Sequence, residues 1–171
     1  MINADIICER NLREKIIELS LLQYGKGYVH GRNGPDSFDC AGLAWFIYNQ
    51  LLNINLYSYG FGKSTTTKIM TSSYGSLRLF NEKDLIKDLK LIKSGDILFF
   101  HRQSLSSSIP KEDNKYPGHC GIYLGNNYFI QSSSVKRKVI ISNFDQSDYW
   151  KRVLVGSKDI LDDSKVRRFM K

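Results

Sequence analysis

Asp39-Cys40-Ala41-Gly42-Leu43 puts a thiol where a polar, glycine-bearing stretch runs into an apolar helical pattern. The unpaired amides and the dipole at a helix start stabilise an anion, so a thiol there titrates low and its thiolate is a nucleophile. A second segment, Pro117-Gly118-His119-Cys120-Gly121 through Gly125 and on to Gln131, sets His119 at the head of one strand and Gln131 on the returning one. Side chains of one face meet across an antiparallel pair, so a turn at Gly125 to Asn127 brings His119 near Gln131. An imidazole base with a polar group to orient it is what a thiolate nucleophile needs. Taken singly, Cys40 reads equally as a small buried residue, His119 as a surface histidine and Gln131 as a hairpin side chain. The three together point to covalent chemistry.

Two other patterns carry less. Gly60, Gly62, Lys63 and Ser64 have the ending of a phosphate-binding loop, but the glycine required five positions before Gly62 is replaced by Tyr57. His30, His101, His119, Cys40 and Cys120 lack the short ligand pairings of a metal centre, and adjacent His119 and Cys120 would project to opposite faces of a strand. The sequence therefore calls for neither a metal nor another cofactor. By the same alternation, Cys120 is expected to be a buried strand residue pointing away from the site.

The elements that must hold these residues are legible in outline. Ile6, Ile7, Leu12, Ile16, Ile17, Leu19 and Leu22 predict a helix over about 6–23, stopped by Gly25 and Gly27. Residues 28–38, with Gly31, Gly34, Pro35 and Asp36, read as loop. From Asp39, the residues Leu43, Ala44, Phe46, Ile47, Leu51 and Leu52 predict a helix buried on most of its circumference, with Cys40 in its first turn. Residues 53–92 read as a bridging segment with little chemistry, including a short helix over 81–89. Short β-rich runs follow at 97–101, 121–124, 128–131, 138–141 and 152–155. Helices first and a strand meander afterwards define an α+β domain.

The chain has 171 residues and a net charge of +8, from 25 Lys plus Arg against 17 Asp plus Glu. That length is room for a single domain, and 42% hydrophobic residues supply its core and exclude wholesale disorder. No apolar run approaches the roughly 20 residues of a membrane-spanning helix. The charged N-terminus lacks a secretory signal, so the expected location is the cytoplasm, with release by a non-secretory route or lysis. Three cysteines are too few for a disulfide framework. Positive charge gathers at Lys136, Arg137 and Lys138 and in a tail over 160–171, a surface fit for an anionic polymer or simply a solvated face.

Four ordered blocks make the chain resemble the NlpC-type cell-wall peptidases over about 21–134: Gly27-Tyr28-Val29 with Gly31, Phe38 to Leu43, Ser94 to Phe100, and Gly118-His119 with Gly121 to Gly125. The resemblance implies a reduced papain-like fold, with the catalytic cysteine at a helix start packed on an antiparallel sheet. It implies Cys40 as nucleophile, His119 as general base and Gln131 as the group that holds the imidazole. It further implies Tyr28 beside the thiol and Asp39 meeting the free amine of a stem peptide. Ala41 stands where the family commonly has serine, and Gln131 where it most often has histidine. The implied reaction is hydrolysis of peptidoglycan stem peptides between D-glutamate and a diamino acid. The alternatives are a thiol-dependent deamidase or acyltransferase acting on another substrate, and a non-catalytic basic module that binds a polyanion. Nucleic acid is the less favoured polyanion, because few aromatic side chains are interleaved with the basic runs.

Overall fold

The computed structural model describes residues 4–80, 89–101, 116–163 and 166. Helix α1 (Ala4–Leu21) carries Ile16 into the core, where it is 1% exposed, and Leu12 and Leu19 pack beside it. Helix α2 (Cys40–Leu52) starts abruptly because Asp39, in extended conformation, caps it: its carboxylate accepts from the Gly42 amide at 2.6 Å. A cap of this kind supplies about 1 kcal/mol. The helix ends where Asn53 turns left-handed at φ 51°. Leu43, Ala44, Ile47, Tyr48 and Leu52 are all buried, as the apolar circumference predicts.

Among the described residues, one eight-stranded sheet forms the other layer. Its strands are β1 (Gly27–Tyr28), β2 (Ser37–Phe38), β3 (Ser76–Leu79), β4 (Ile97–Phe100), β5 (His119–Gly125), β6 (Tyr128–Ser133), β7 (Lys138–Asn143) and β8 (Leu154–Asp159). They lie in the order β2-β1-β7-β6-β5-β4-β8-β3, antiparallel except for the β1–β2 pair. Helix α3 (Thr65–Thr71) follows α2, and the short α4 (Asp148–Val153) precedes β8.

The sheet has a core on each face. Toward the helices, Ile97, Phe99, Cys120, Ile122, Ile130 and Val139 meet Ala41, Leu43, Ala44 and Ile47 of α2. On the opposite side Leu98, Phe100, Tyr123, Phe129 and Phe144 enclose a second cluster against Trp150. Burying an aliphatic or phenylalanine side chain of this kind contributes about 1.5–3 kcal/mol, so the strands read as unbroken apolar runs where both faces are covered. Strand β4 is such a run, with all four residues buried.

Several expectations change. The 28–38 loop contributes the two short strands β1 and β2 at its ends, paired Gly27 to Ser37 and Tyr28 to Phe38. The run at 152–155 is divided: Arg152 and Val153 end α4, and the strand starts at Leu154 and continues to Asp159. β-Propensity at Val153 yields there to packing, since Val153 is 2% exposed and belongs to the second core. Residues 53–92 supply α3 and the edge strand β3 as well as a connection. The helix expected over 81–89 falls largely outside the described residues. So do Lys165, Arg167, Arg168 and Lys171 of the basic tail, while Ile160, Leu161 and Val166 of the same stretch are core residues.

Candidate active site

Cys40 is the first residue of α2, half-buried where the helix start meets the head of β5. First-turn amides have no partner inside a helix, so they face whatever lies beyond it. The loop preceding α2 is drawn tightly against this turn. Asp39 Oδ2 accepts from the Gly31 amide at 2.9 Å while Oδ1 holds Gly42, and the Asp39 amide donates to Arg32 O at 2.8 Å. Gly42 is required here, because a Cβ would lie 2.1 Å from Arg32 O. Burial raises the Asp39 carboxyl above its ordinary value, opposed by the two amides.

The hairpin forms as expected. Asn126 and Asn127 turn left-handed at φ 50° and 64°, following Gly125 at φ 98°. Ile122 pairs with Ile130 and Tyr123 with Phe129, so His119 and Gln131 come diagonally together. His119 Nε2 lies 2.5 Å from Gln131 Oε1, and because an amide oxygen only accepts, the imidazole donates from Nε2. The ring is thereby oriented with its other nitrogen free for the thiol. Gln131 is 1% exposed and is itself fixed by donating from Nε2 to Ser142 Oγ at 2.7 Å. Phe100 and Trp150 flank the imidazole, with ring centroids 5.9 and 6.2 Å away.

Electrostatics follow from these contacts. The Cys40 thiol is held well below its ordinary value by its contact with the Cys120 thiol and by hydrogen bonding and charge from His119, against the opposing effect of burial. For His119, burial pulls downward, but the Cys40 contact and the Gln131 hydrogen bond outweigh it and the net direction is upward. Both shifts favour a thiolate–imidazolium pair. Cys120 moves the opposite way, raised by its Cys40 contact and by burial, so it stays a thiol beside Cys40.

That neighbour corrects the expectation that Cys120 points away. Strand alternation itself holds: Cys120 faces the helix-side core and His119 stacks toward Phe100. Cys40, however, sits at the head of β5, where the side chains of both faces come within reach. Two further residues at the site come from the segment expected to hold little chemistry. Thr66 Oγ1 of α3 lies 3.8 Å from Cys40 Sγ. Tyr57 donates to Asn33 Oδ1 at 3.2 Å and stacks on Trp45, and its hydroxyl is raised by burial and by the nearby Asp39 and Cys40 charges. Neither has a local sequence signature. Tyr28 is placed by register, opposite Phe38, the last residue of β2 and the second before Cys40.

A thiol at a helix start, paired with an imidazole that an amide oxygen orients, on a helix packed against an antiparallel sheet, is the arrangement of the papain-like thiol hydrolases. The chain belongs to the NlpC/P60 family, whose profile matches residues 25–159. It is similar to murein DD-endopeptidase MepH of Escherichia coli (strain K12), 28% identical over 85% of this chain and 45% of that one. It is also similar to the probable peptidoglycan endopeptidase LytE of Bacillus subtilis (strain 168), 26% identical over 84% of this chain and 33% of that one. Among solved structures, NlpC2 from Trichomonas vaginalis superposes with a TM-score of 0.63 at 28% identity, covering 87% of this chain and 46% of the other. The chain spans about half the length of the first curated relatives it matches, or less.

Proposed function

We propose that the protein is a cysteine endopeptidase that hydrolyses amide bonds in the stem peptides of peptidoglycan. The observation that carries this reading is the contact of Cys40, at the start of α2, with a His119 already fixed by Gln131. In the reaction the Cys40 thiolate attacks the scissile carbonyl carbon, and first-turn amides of α2 stabilise the oxyanion. His119, protonated, gives its proton to the leaving amine as the C–N bond breaks, leaving a thioester on Cys40. Water then attacks the thioester with His119 as base, releasing the carboxylate product and restoring the thiolate. Asp39 carries the one acidic side chain described at the helix start, and its charge suits the free amine of a stem peptide. Tyr28 and Tyr57 supply aromatic walls.

The proposed bond lies between D-glutamate and the diamino acid, as the family resemblance implies. The similarity to MepH, a murein DD-endopeptidase, favours a second reading in which the bond joins two D-configured residues. Digestion of purified peptidoglycan with wild type and Cys40→Ala, followed by mass spectrometry, decides both matters. Fragments ending in D-glutamate support the first bond, and uncrosslinked but otherwise intact stem peptides support the second. Equal fragment release by Cys40→Ala refutes the mechanism altogether. The basic run at Lys136 to Lys138 is proposed to meet an anionic wall polymer, which predicts binding that weakens as salt rises.

A further inference from the structure

The Cys40 sulfur has a neighbour that neither the nucleophile–base pair nor the family resemblance accounts for. Thr66 is 3% exposed, and a buried hydroxyl needs a hydrogen-bond partner. Its partners among the described residues are sulfurs: Cys40 Sγ at 3.8 Å, and the Cys120 thiol. A hydroxyl facing two thiols is the best donor of the three groups, and a donor facing a thiolate makes a charge-assisted bond.

The placement of this hydroxyl is held at both ends of α3. At the N-terminal end Ser64 Oγ accepts from the Thr67 amide at 3.1 Å. At the C-terminal end Lys158, 1% exposed, reaches in from β8 and donates from Nζ to Ile69 O, Met70 O and Ser72 O at 3.0, 2.9 and 2.7 Å. A lysine buried this deeply is costly unless its donors are used, and here three are spent on one helix end. Thr66 is thus presented to Cys40 by a fixed element.

We propose that Thr66 is a further catalytic residue of this site, its hydroxyl donating to Cys40 Sγ so as to hold the sulfur in position and favour its thiolate. The role rests on the cysteine-peptidase reading, since a group that favours the thiolate matters only if the thiolate is the reagent. The hydroxyl, not the methyl, carries the function. Valine at 66 keeps the shape and removes the donor, and serine keeps the donor and removes the methyl.

The test is the pH dependence of Cys40 alkylation by iodoacetamide, resolved by peptide mass spectrometry, in wild type, Thr66→Val and Thr66→Ser. It is run beside steady-state cleavage of peptidoglycan fragments. In Thr66→Val the alkylation midpoint should move up by about one pH unit, so that the rate below the midpoint falls about tenfold. In the same variant kcat should fall with KM little changed, because the bond is made to the reacting atom and not to substrate. Thr66→Ser should stay near wild type in both. An unshifted midpoint in Thr66→Val overturns the proposal, and so does an equal shift in both variants, which would assign the effect to packing. If wild type cleaves no peptidoglycan, the peptidase reading falls while the alkylation profiles still judge Thr66.

Discussion

Asp96→Asn tests the energetics of this fold most directly, because one carboxyl bears a large and signed load. Asp96 precedes β4 and is 3% exposed. It accepts from the Lys93 amide at 3.1 Å and from Arg13 Nη1 at 3.3 Å, while Arg13 also holds Asp159 at 2.7 Å. Burial first, and then the nearby Asp159 charge, raise the Asp96 carboxyl from 3.8 to about 7 despite Arg13. The folded state therefore keeps a proton that the unfolded chain has already lost, and stability must fall as pH rises between those values. At 1.36 kcal/mol per unit, the full window corresponds to about 4 kcal/mol, of which about 2 lies between pH 5 and 7. At pH 7 the folded carboxyl is half ionised, so the slope has halved there and vanishes about one unit higher.

The assay is urea denaturation of wild type and Asp96→Asn at pH 5, 6, 7 and 8, taking the difference at each pH. That difference isolates Asp96 from other titrating groups, His119 among them. The amide ionises in neither state, so the variant should gain on wild type by about 2 kcal/mol between pH 5 and 7 and by nearly 3 on reaching pH 8. A difference that stays constant across the series refutes the reasoning, because it would mean that Asp96 is ionised throughout in the folded protein.

The remaining predictions concern the site. Gly42→Ala drives a Cβ against Arg32 O and should cost about 1–3 kcal/mol in denaturant unfolding while slowing Cys40 alkylation; wild-type values for both would remove the tight loop-to-helix approach from the account. Activity should rise with pH through the lowered Cys40 value and fall through the raised His119 value, giving a bell in kcat/KM whose acid limb lies well below the ordinary thiol range. A profile still rising above pH 9 contradicts the ion pair. Gln131→Ala frees the imidazole and should lower kcat/KM by about tenfold or more, alongside a loss of about 1–3 kcal/mol in denaturant unfolding from the buried partners left unmet. Lys158→Met leaves three carbonyls of α3 without their donor and should destabilise by about 3 kcal/mol, read from the same denaturation curves.

What could be read from the sequence was what is decided locally or by a regular repeat. Asp39 before an apolar helical run specifies a capped helix start, and Gly125-Asn126-Asn127 specifies a tight hairpin whose register then couples His119 to Gln131. Thr66 and Tyr57 were out of reach because they arrive by tertiary packing: nothing within a few residues of either marks it as different from other polar or aromatic positions. Cys120 shows a subtler limit. Alternation along β5 gave its face correctly, but whether that face is near the nucleophile depends on where α2 starts relative to the strand's head. At 152–155 β-propensity held for Leu154 and Val155 but not for Val153, which fills the second core equally well from the end of a helix.

The nucleophile's surroundings also have an order in time. Cys40 is made early in synthesis, but its sulfur meets Thr66 from α3, then His119 and Cys120 from β5, and His119 is steadied by Gln131 from β6. The helix that carries Thr66 is closed by Lys158, on the last strand of the sheet to be made. A nascent or half-folded chain thus holds the reagent without the machinery that arms it. The full set of contacts around Cys40 is therefore assembled only once the final strand is in place.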